Sequence, residues 1–182
     1  MLNNKRILGL IPARGGSRRV PFKNITLFRG QPLIGWAMEH AEGSKYLDAW
    51  VVSTEDTAIS IHAKDHLLKR PAFLAEDKVP TEAVLVHALY TLPGYDYAVV
   101  LQPTSPLRTV EDIDRCIEIA VEKHGYGGAT GCVSYNPMGK RNGAVYVAHV
   151  EHFLQMLSFD AAHHYEMPME RSLDIDYVWD FK

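Results

Sequence analysis

The first 38 residues contain no aspartate and no glutamate, although acidic groups outnumber basic ones, 22 to 19, over the 182-residue chain. Seven Lys/Arg (Lys5, Arg6, Arg14, Arg18, Arg19, Lys23, Arg29) therefore stand there without an acidic neighbour in sequence, and the other 144 residues hold 12 basic and all 22 acidic groups. The net charge of −3 hides one strongly positive segment. A near-neutral balance argues against general binding to nucleic acid or a membrane surface, which needs a net basic face, so the expected partner is small and anionic. Cysteine is scarce. Cys116 falls in a helical pattern and Cys132 in a strand-like run, which fits buried free thiols better than a disulfide or metal pair. No apolar run approaches the roughly 18 residues of a spanning helix, and Met1 to Arg6 leads straight into a core strand with no room for a signal peptide, so the expected location is cytoplasmic. Repeats, low-complexity tracts and internal linkers are also missing. With 47% hydrophobic and 23% charged residues, the chain is expected to form a single domain over 1–182.

What is present centres on residues 7–24. Ile7 to Ile11 is a short, wholly apolar run of the kind expected for a parallel strand buried on both faces, and Pro12 stops it. It opens into Ala13-Arg14-Gly15-Gly16-Ser17-Arg18-Arg19-Val20-Pro21-Phe22-Lys23-Asn24. Loops at the carboxyl ends of strands enclose the ligand crevice in open α/β sheets. Gly15 and Gly16 would let backbone N–H groups approach an anion, and Arg14, Arg18, Arg19 and Lys23 suit phosphate oxygens. No Gly-Lys-Ser/Thr follows at the Walker A spacing and no G-x-G-x-x-G is present, which weakens kinase, GTPase and dinucleotide readings.

The remaining pattern alternates. A short extended connection over 24–30 precedes a helix with Pro32 in its first turn, ended by Gly43-Ser44. Asp48–Ser53 reads as a second buried strand, and Thr54-Glu55-Asp56 caps a helix over Ala58–Leu67. An irregular stretch from Arg70 to Asp77 leads to a helix starting at Thr81. Asp96–Leu101 is a third buried strand, delivering the polar loop Gln102-Pro103-Thr104-Ser105-Pro106-Leu107-Arg108 toward the same crevice. Thr109 caps a helix over Val110–Lys123 with Ile113, Cys116, Ile117 and Ala120 inward. Gly127–Ser134 and Gly143–Val150 read as two strands joined by the turn Asn136-Pro137-Met138-Gly139. The alternation implies an α/β fold with one doubly wound, mostly parallel sheet and helices on both faces.

Residues 151–182 carry seven carboxylates, read mainly as solvated surface. In Leu173-Asp174-Ile175-Asp176-Tyr177, however, an extended chain puts Asp174 and Asp176 on one face and Ile175 on the other. Two hard carboxylates beside a phosphate loop suit Mg²⁺, which keeps waters and bridges to substrate phosphates. His149, His152, His163 and His164 offer a competing metal set, but no cysteine lies near them in sequence and exposed histidines are the commoner case.

Four motifs in order carry a resemblance to the acylneuraminate cytidylyltransferases, which make CMP-sialic acid and related activated sugar acids. They are the basic loop followed by Gln31-Pro32-Leu33-Ile34, then Arg70-Pro71 with Asp77 and Thr81, then Gln102 to Arg108, and finally Arg171-Ser172-Leu173-Asp174-Ile175-Asp176 after Tyr165-Glu166-Met167-Pro168. Asn142-Gly143-Ala144-Val145-Tyr146 resembles the family's late strand. The resemblance implies a nucleotide-diphospho-sugar transferase-like, Rossmann-type sheet and an enzyme that uses CTP, a small acidic sugar and Mg²⁺. It implies that Arg14 and Lys23 grip the CTP phosphates as catalytic groups, with Ala13, Gly15, Ser17 and Asn24 around the nucleotide. Arg70 and Thr81 would sit at cytosine and ribose, and Gln102, Thr104, Ser105 and Arg108 on the sugar-acid side. Asp174 and Asp176 would hold the catalytic Mg²⁺.

The chain departs from the family pattern before Asn142. An excursion of a few tens of residues, which in the family crosses to a second subunit, is reduced to Tyr135–Arg141. The family homodimer is therefore not expected here, and a monomer or a weakly associating chain is. The shortening also opens two other readings, activation of a different small acid such as a phosphonate by CTP, or a non-catalytic nucleotide-sugar-binding protein.

Overall fold

A computed structural model describes residues 2–182. Strand β1 (Ile7–Pro12) lies inside the sheet because its apolar residues can be buried on both faces. It pairs in parallel with β4 (Ala49–Thr54) on one side and with β6 (Tyr97–Val100) on the other. A three-residue strand, β5 (Leu67–Lys69), adds in parallel to β4. Beyond β6 comes β8 (Arg141–His149), antiparallel both to β6 and to β7 (Gly131–Tyr135), and β9 (Ala162–Glu166) closes the row parallel to β7. The order is β5-β4-β1-β6-β8-β7-β9, one mostly parallel seven-stranded sheet. A small hairpin of β2 (Leu27–Phe28) and β3 (Gln31–Pro32) stands apart from it.

Alternation within the strands divides the core. Ile7, Ile11, Tyr97 and Val99 face α1 (Leu33–Gly43), α2 (Thr57–Ala63) and α4 (Val110–Glu122). Leu8, Leu10, Ala98 and Val100 face α3 (Thr81–Thr91) and α5 (Val150–Met156). Helices thus cover both faces, as the alternating pattern implies. Gly9 is required by close approach, since a Cβ there would lie 2.8 Å from that of Trp50. The expected caps form: Asp56 accepts from Ile59 N at 2.9 Å, and Thr109 and Asp112 make a reciprocal capping box. Ile113, Cys116, Ile117 and Ala120 are fully buried, and both cysteines are free. None of the described helices is long and apolar enough to cross a membrane.

Several elements differ from the expectation. The helix placed over Ala58–Leu67 stops at Ala63; Lys64–His66 is a single 3₁₀ turn and Leu67 begins β5, because pairing with β4 outweighs helical propensity. Pro32 is the residue before α1, while residues 24–30 contain a 3₁₀ turn and a tight hairpin with Arg29 and Gly30 both at positive φ. The strand expected over 127–134 begins only at Gly131, and the tail contributes α5 and β9 instead of mere surface.

Candidate active site

At the carboxyl ends of β1, β4 and β6, a cleft of about 470 Å³ is walled by the basic loop, the Arg70–Thr81 stretch, the start of the 102–108 loop and Asp176. Its cations are held in two pairs. Arg14 meets Asp77 at 3.0 Å, and Arg18 meets the other oxygen of the same carboxylate. Arg19 and Lys23 meet the two oxygens of Asp176 at 2.7 and 3.1 Å, and Lys23 also donates to the Ile175 carbonyl at 3.0 Å. Each carboxylate occupies positions that an anionic ligand's oxygens could take. Lys23 and Arg19 outweigh partial burial at Asp176 and hold its carboxyl below the usual range.

The two glycines of the loop differ, Gly15 being packed and Gly16 standing in open space. The Gly15 N–H donates to Glu55 Oε1 at 2.8 Å, and a Cβ at Gly15 would collide with the Asp56 carboxylate. Close packing on the turn before α2 requires that glycine. Ala13 is buried, with its N–H on the Ser53 carbonyl at 3.0 Å. Ser17 lines the cleft; Asn24 does too, and braces the loop by donating to the Arg14 carbonyl at 2.9 Å. Arg70 lines the cleft although it is largely buried, with Nε on Ser53 Oγ at 3.1 Å, and burial lowers its pKa. Thr81 opens α3 at the cleft edge.

The 102–108 loop divides. Gln102 and Thr104 reach the cleft, but Ser105 and Arg108 are buried, at 0% and 1% exposure. Ser105 donates to the Asn142 carbonyl at 3.4 Å, and Arg108 Nη1 bonds the carbonyls of Gln102 and Ala144. Of the residues expected on the sugar side, Ser105 and Arg108 turn their side chains inward to backbone carbonyls where β6 and β8 separate, and neither lines the cleft or the hollow beside it. A smaller hollow of about 130 Å³ shares Thr81 and Gln102 with the cleft and adds Glu82, Arg141, Tyr146 and Phe159. Composition alone did not single out Arg141 or Phe159; only folding brings the start of β8 and the segment after α5 together.

The tail reaches this site through a buried network. Asn142 Nδ2 donates to Ser172 Oγ at 3.1 Å, and Ser134 Oγ donates to Asn142 Oδ1 at 2.6 Å. Ile175 then donates its N–H to the Thr104 carbonyl at 2.8 Å and buries its side chain against Phe28 and Leu33. Asp174 and Asp176 emerge on either side of that anchor. Crowding by protein raises the Asp174 carboxyl, with the like charge of Asp176 adding to it, and Asp174 has no ion-pair partner among the described residues. No group of three or more His, Cys, Asp or Glu converges among those residues. His163 bonds the Lys123 carbonyl at 2.9 Å and His164 stacks on Tyr135. The hard-oxygen pair fits a divalent cation that retains waters, since one carboxylate is unpaired and the other is held only by exchangeable cations.

Residues 8–162 match the family described as "Cytidylyltransferase". The chain is 27% identical to an N-acylneuraminate cytidylyltransferase of Escherichia coli O18:K1:H7, a match covering 97% of this chain and 51% of that protein. That match runs over 216 positions, more than the 182 residues here, so this chain is the shorter of the two within the shared region. It spans about half the length of the curated relatives it matches. Among solved structures, a CMP:2-keto-3-deoxy-manno-octonic acid synthetase complexed with CTP superposes with a TM-score of 0.67 at 15% identity, covering 94% of this chain and 93% of that one. A Mycobacterium tuberculosis protein solved with manganese gives 0.68 at 14% identity, covering 97% and 96%.

Proposed function

From the premise that this chain belongs to the cytidylyltransferase family, we propose that it transfers CMP from CTP to the anomeric hydroxyl of a sialic-acid-like 2-keto sugar acid and releases pyrophosphate. The observation that carries the proposal is the pairing of four loop cations with two displaceable carboxylates in a cleft that continues into a second hollow. In this reading the triphosphate replaces Asp77 on Arg14 and Arg18, and replaces Asp176 on Lys23 and Arg19. Ser17 and Asn24 border it, Arg70 and Thr81 stand at the base and ribose, and the sugar acid lies against Gln102 and Thr104 in the hollow beyond.

The sugar hydroxyl attacks the α-phosphorus in line and gives up its proton to water, while the bond from the α-phosphorus to the bridging oxygen breaks and pyrophosphate leaves with that oxygen. Such reactions depend on positioning and charge neutralisation. Lys23 and Arg14 would hold the departing pyrophosphate while the walls orient the nucleophile. Asp174 and Asp176 would hold Mg²⁺, which when bound offsets phosphate charge. The manganese in the mycobacterial structure supports use of a divalent ion by this fold, and the CTP in the synthetase structure supports the nucleotide. The hairpin between β7 and β8 leaves only residues 136–140 to extend toward a second subunit, so we read each chain as completing its own sugar hollow, as a monomer or a weakly associating chain.

Pyrophosphate release from CTP with Mg²⁺ or Mn²⁺ and a panel of 2-keto sugar acids tests the reading. Turnover with at least one acid, and preference for CTP over ATP, is expected; release with none of them, or equal binding of both nucleotides by calorimetry, defeats it. Light scattering on a sizing column should give one 20.5 kDa subunit.

A further inference from the structure

We propose that Arg108 is a positioning residue, a buried clamp that fixes the angle at which Gln102 and Asp174 meet over Gly143. The inference rests on the functional reading above for its turnover readout only. The β6–β8 ladder ends at the pair Val100 and Tyr146. Continued in register, the next facing pair of that kind would be Gln102 and Ala144. Their carbonyls are instead bridged by one nitrogen, with Arg108 Nη1 donating at 2.8 and 2.9 Å. The guanidinium thus stands where the ladder opens. On the other side of the opening, Gly143 has φ +76°, and a Cβ there would lie 3.3 Å from Gln102 Oε1 and 3.6 Å from Asp174 Oδ2. Gly143 is the floor on which the amide and the carboxylate converge.

Among the described residues, no other hydrogen bond anchors the Arg108 guanidinium. Asp112 is the nearby carboxylate, but Arg171 takes both its oxygens at 2.8 and 3.0 Å, and Tyr165 and the Thr109 N–H bond it as well. Arg108 Nε and Nη2 have no acceptor among the described residues. Burial pushes its pKa down to about 9, a cost that a purely packing role does not explain. A donor that reaches two diverging carbonyls explains it. A substrate contact does not, because the side chain is 1% exposed and turned from the cleft.

The test compares Arg108→Lys, Gln102→Ala and the double variant, with kcat and KM for the sugar acid and CTP affinity measured separately. Arg108→Lys should hold CTP affinity within about 3-fold and lower kcat by at least about 10-fold, and the Gln102→Ala loss should shrink several-fold in its background. Losses that multiply independently would overturn the proposal. Amide hydrogen exchange is a readout without turnover: residues 101–105 and 143–146 should exchange at least about 10-fold faster in Arg108→Lys and the rest of the sheet unchanged. Unchanged exchange there defeats the clamp even if turnover falls. If the wild-type chain turns over no acid, the functional reading fails and exchange alone decides the clamp. Arg108→Gln, which keeps one donor without the charge, replaces the lysine variant if that chain does not melt cooperatively.

Discussion

On the cleft wall built by residues 14–23, four cations share two carboxylates, and two of them, Arg18 and Arg19, stand largely in solvent; on the wall built by residues 102–108, the arginine stands behind the loop and is held by carbonyls alone. Both come from motif positions of the same residue type. An exposed guanidinium in an ion pair gives up little when an anion replaces its partner, because water screens both states. A buried one bonded to backbone cannot leave without exposing two carbonyls. The first arrangement suits exchange with a ligand, and the second suits permanent geometry.

The largest expected effect sharpens that contrast. Lys23→Ala and Asp176→Asn should each lower turnover by about 10²–10³-fold, the usual consequence of losing one charge-stabilising group, with the melting temperature nearly unchanged. Asp174→Asn should behave alike and melt slightly higher, since it removes a crowded carboxylate beside another. If these variants unfold instead, the exchangeable wall is structural and the distinction breaks.

Arg171→Ala tests the buried side. It strands the Asp112 carboxylate, 0% exposed, with only the Tyr165 hydroxyl and the Thr109 groups, and should destabilise by about 2 kcal/mol in urea melts. Burial raises the Asp112 carboxyl, but Arg171 and the hydrogen bonds outweigh it and hold it below its ordinary value. A carboxyl with a depressed folded pKa contributes stability that is complete above its unfolded value of about 4 and is lost as pH falls through the folded one. Wild type should therefore lose more stability than Arg171→Ala between pH 5 and 3.

A smaller effect sits behind the same wall. Burial, with Arg108 adding, lowers the His40 pKa to about 4. The unfolded chain binds the proton first, so stability should rise by on the order of 1–2 kcal/mol from pH 5 to 7, and His40→Gln should flatten that rise. Smallest is Asp77→Asn. Removing the carboxylate shared by Arg14 and Arg18 should tighten CTP or pyrophosphate by no more than about 5-fold, less at high salt; a large loss of affinity would mean that Asp77 positions the arginines.

The strands β1, β4 and β6 were legible as apolar runs, and α4 as a capped amphipathic helix, because each signal is local. The place of the basic loop at the end of β1 was legible for the same reason. β5 was not: Leu67 to Lys69 is too short to carry a period of its own, and its existence depends on β4 beside it. β9, a polar edge segment containing His163 and His164, likewise forms only because β7 offers a free edge. Arg108 shows the limit most sharply, since its burial depends on a carbonyl 36 residues away.

The reversed direction of β8 leaves the sheet with an adjustable part. Because β7 runs toward the cleft and β8 runs away from it, the hairpin between them sits at the ligand edge, beside Arg141 and Gly143. Asn136 closes it by accepting from Met138 and Lys140 N–H at 3.0 Å, without help from the core. Residues could be grafted there for about 0.6 kcal/mol per doubling of loop length, leaving both ladders in register. A library of inserts at positions 137–139 would then vary what covers the second hollow while the phosphate-handling wall stays constant.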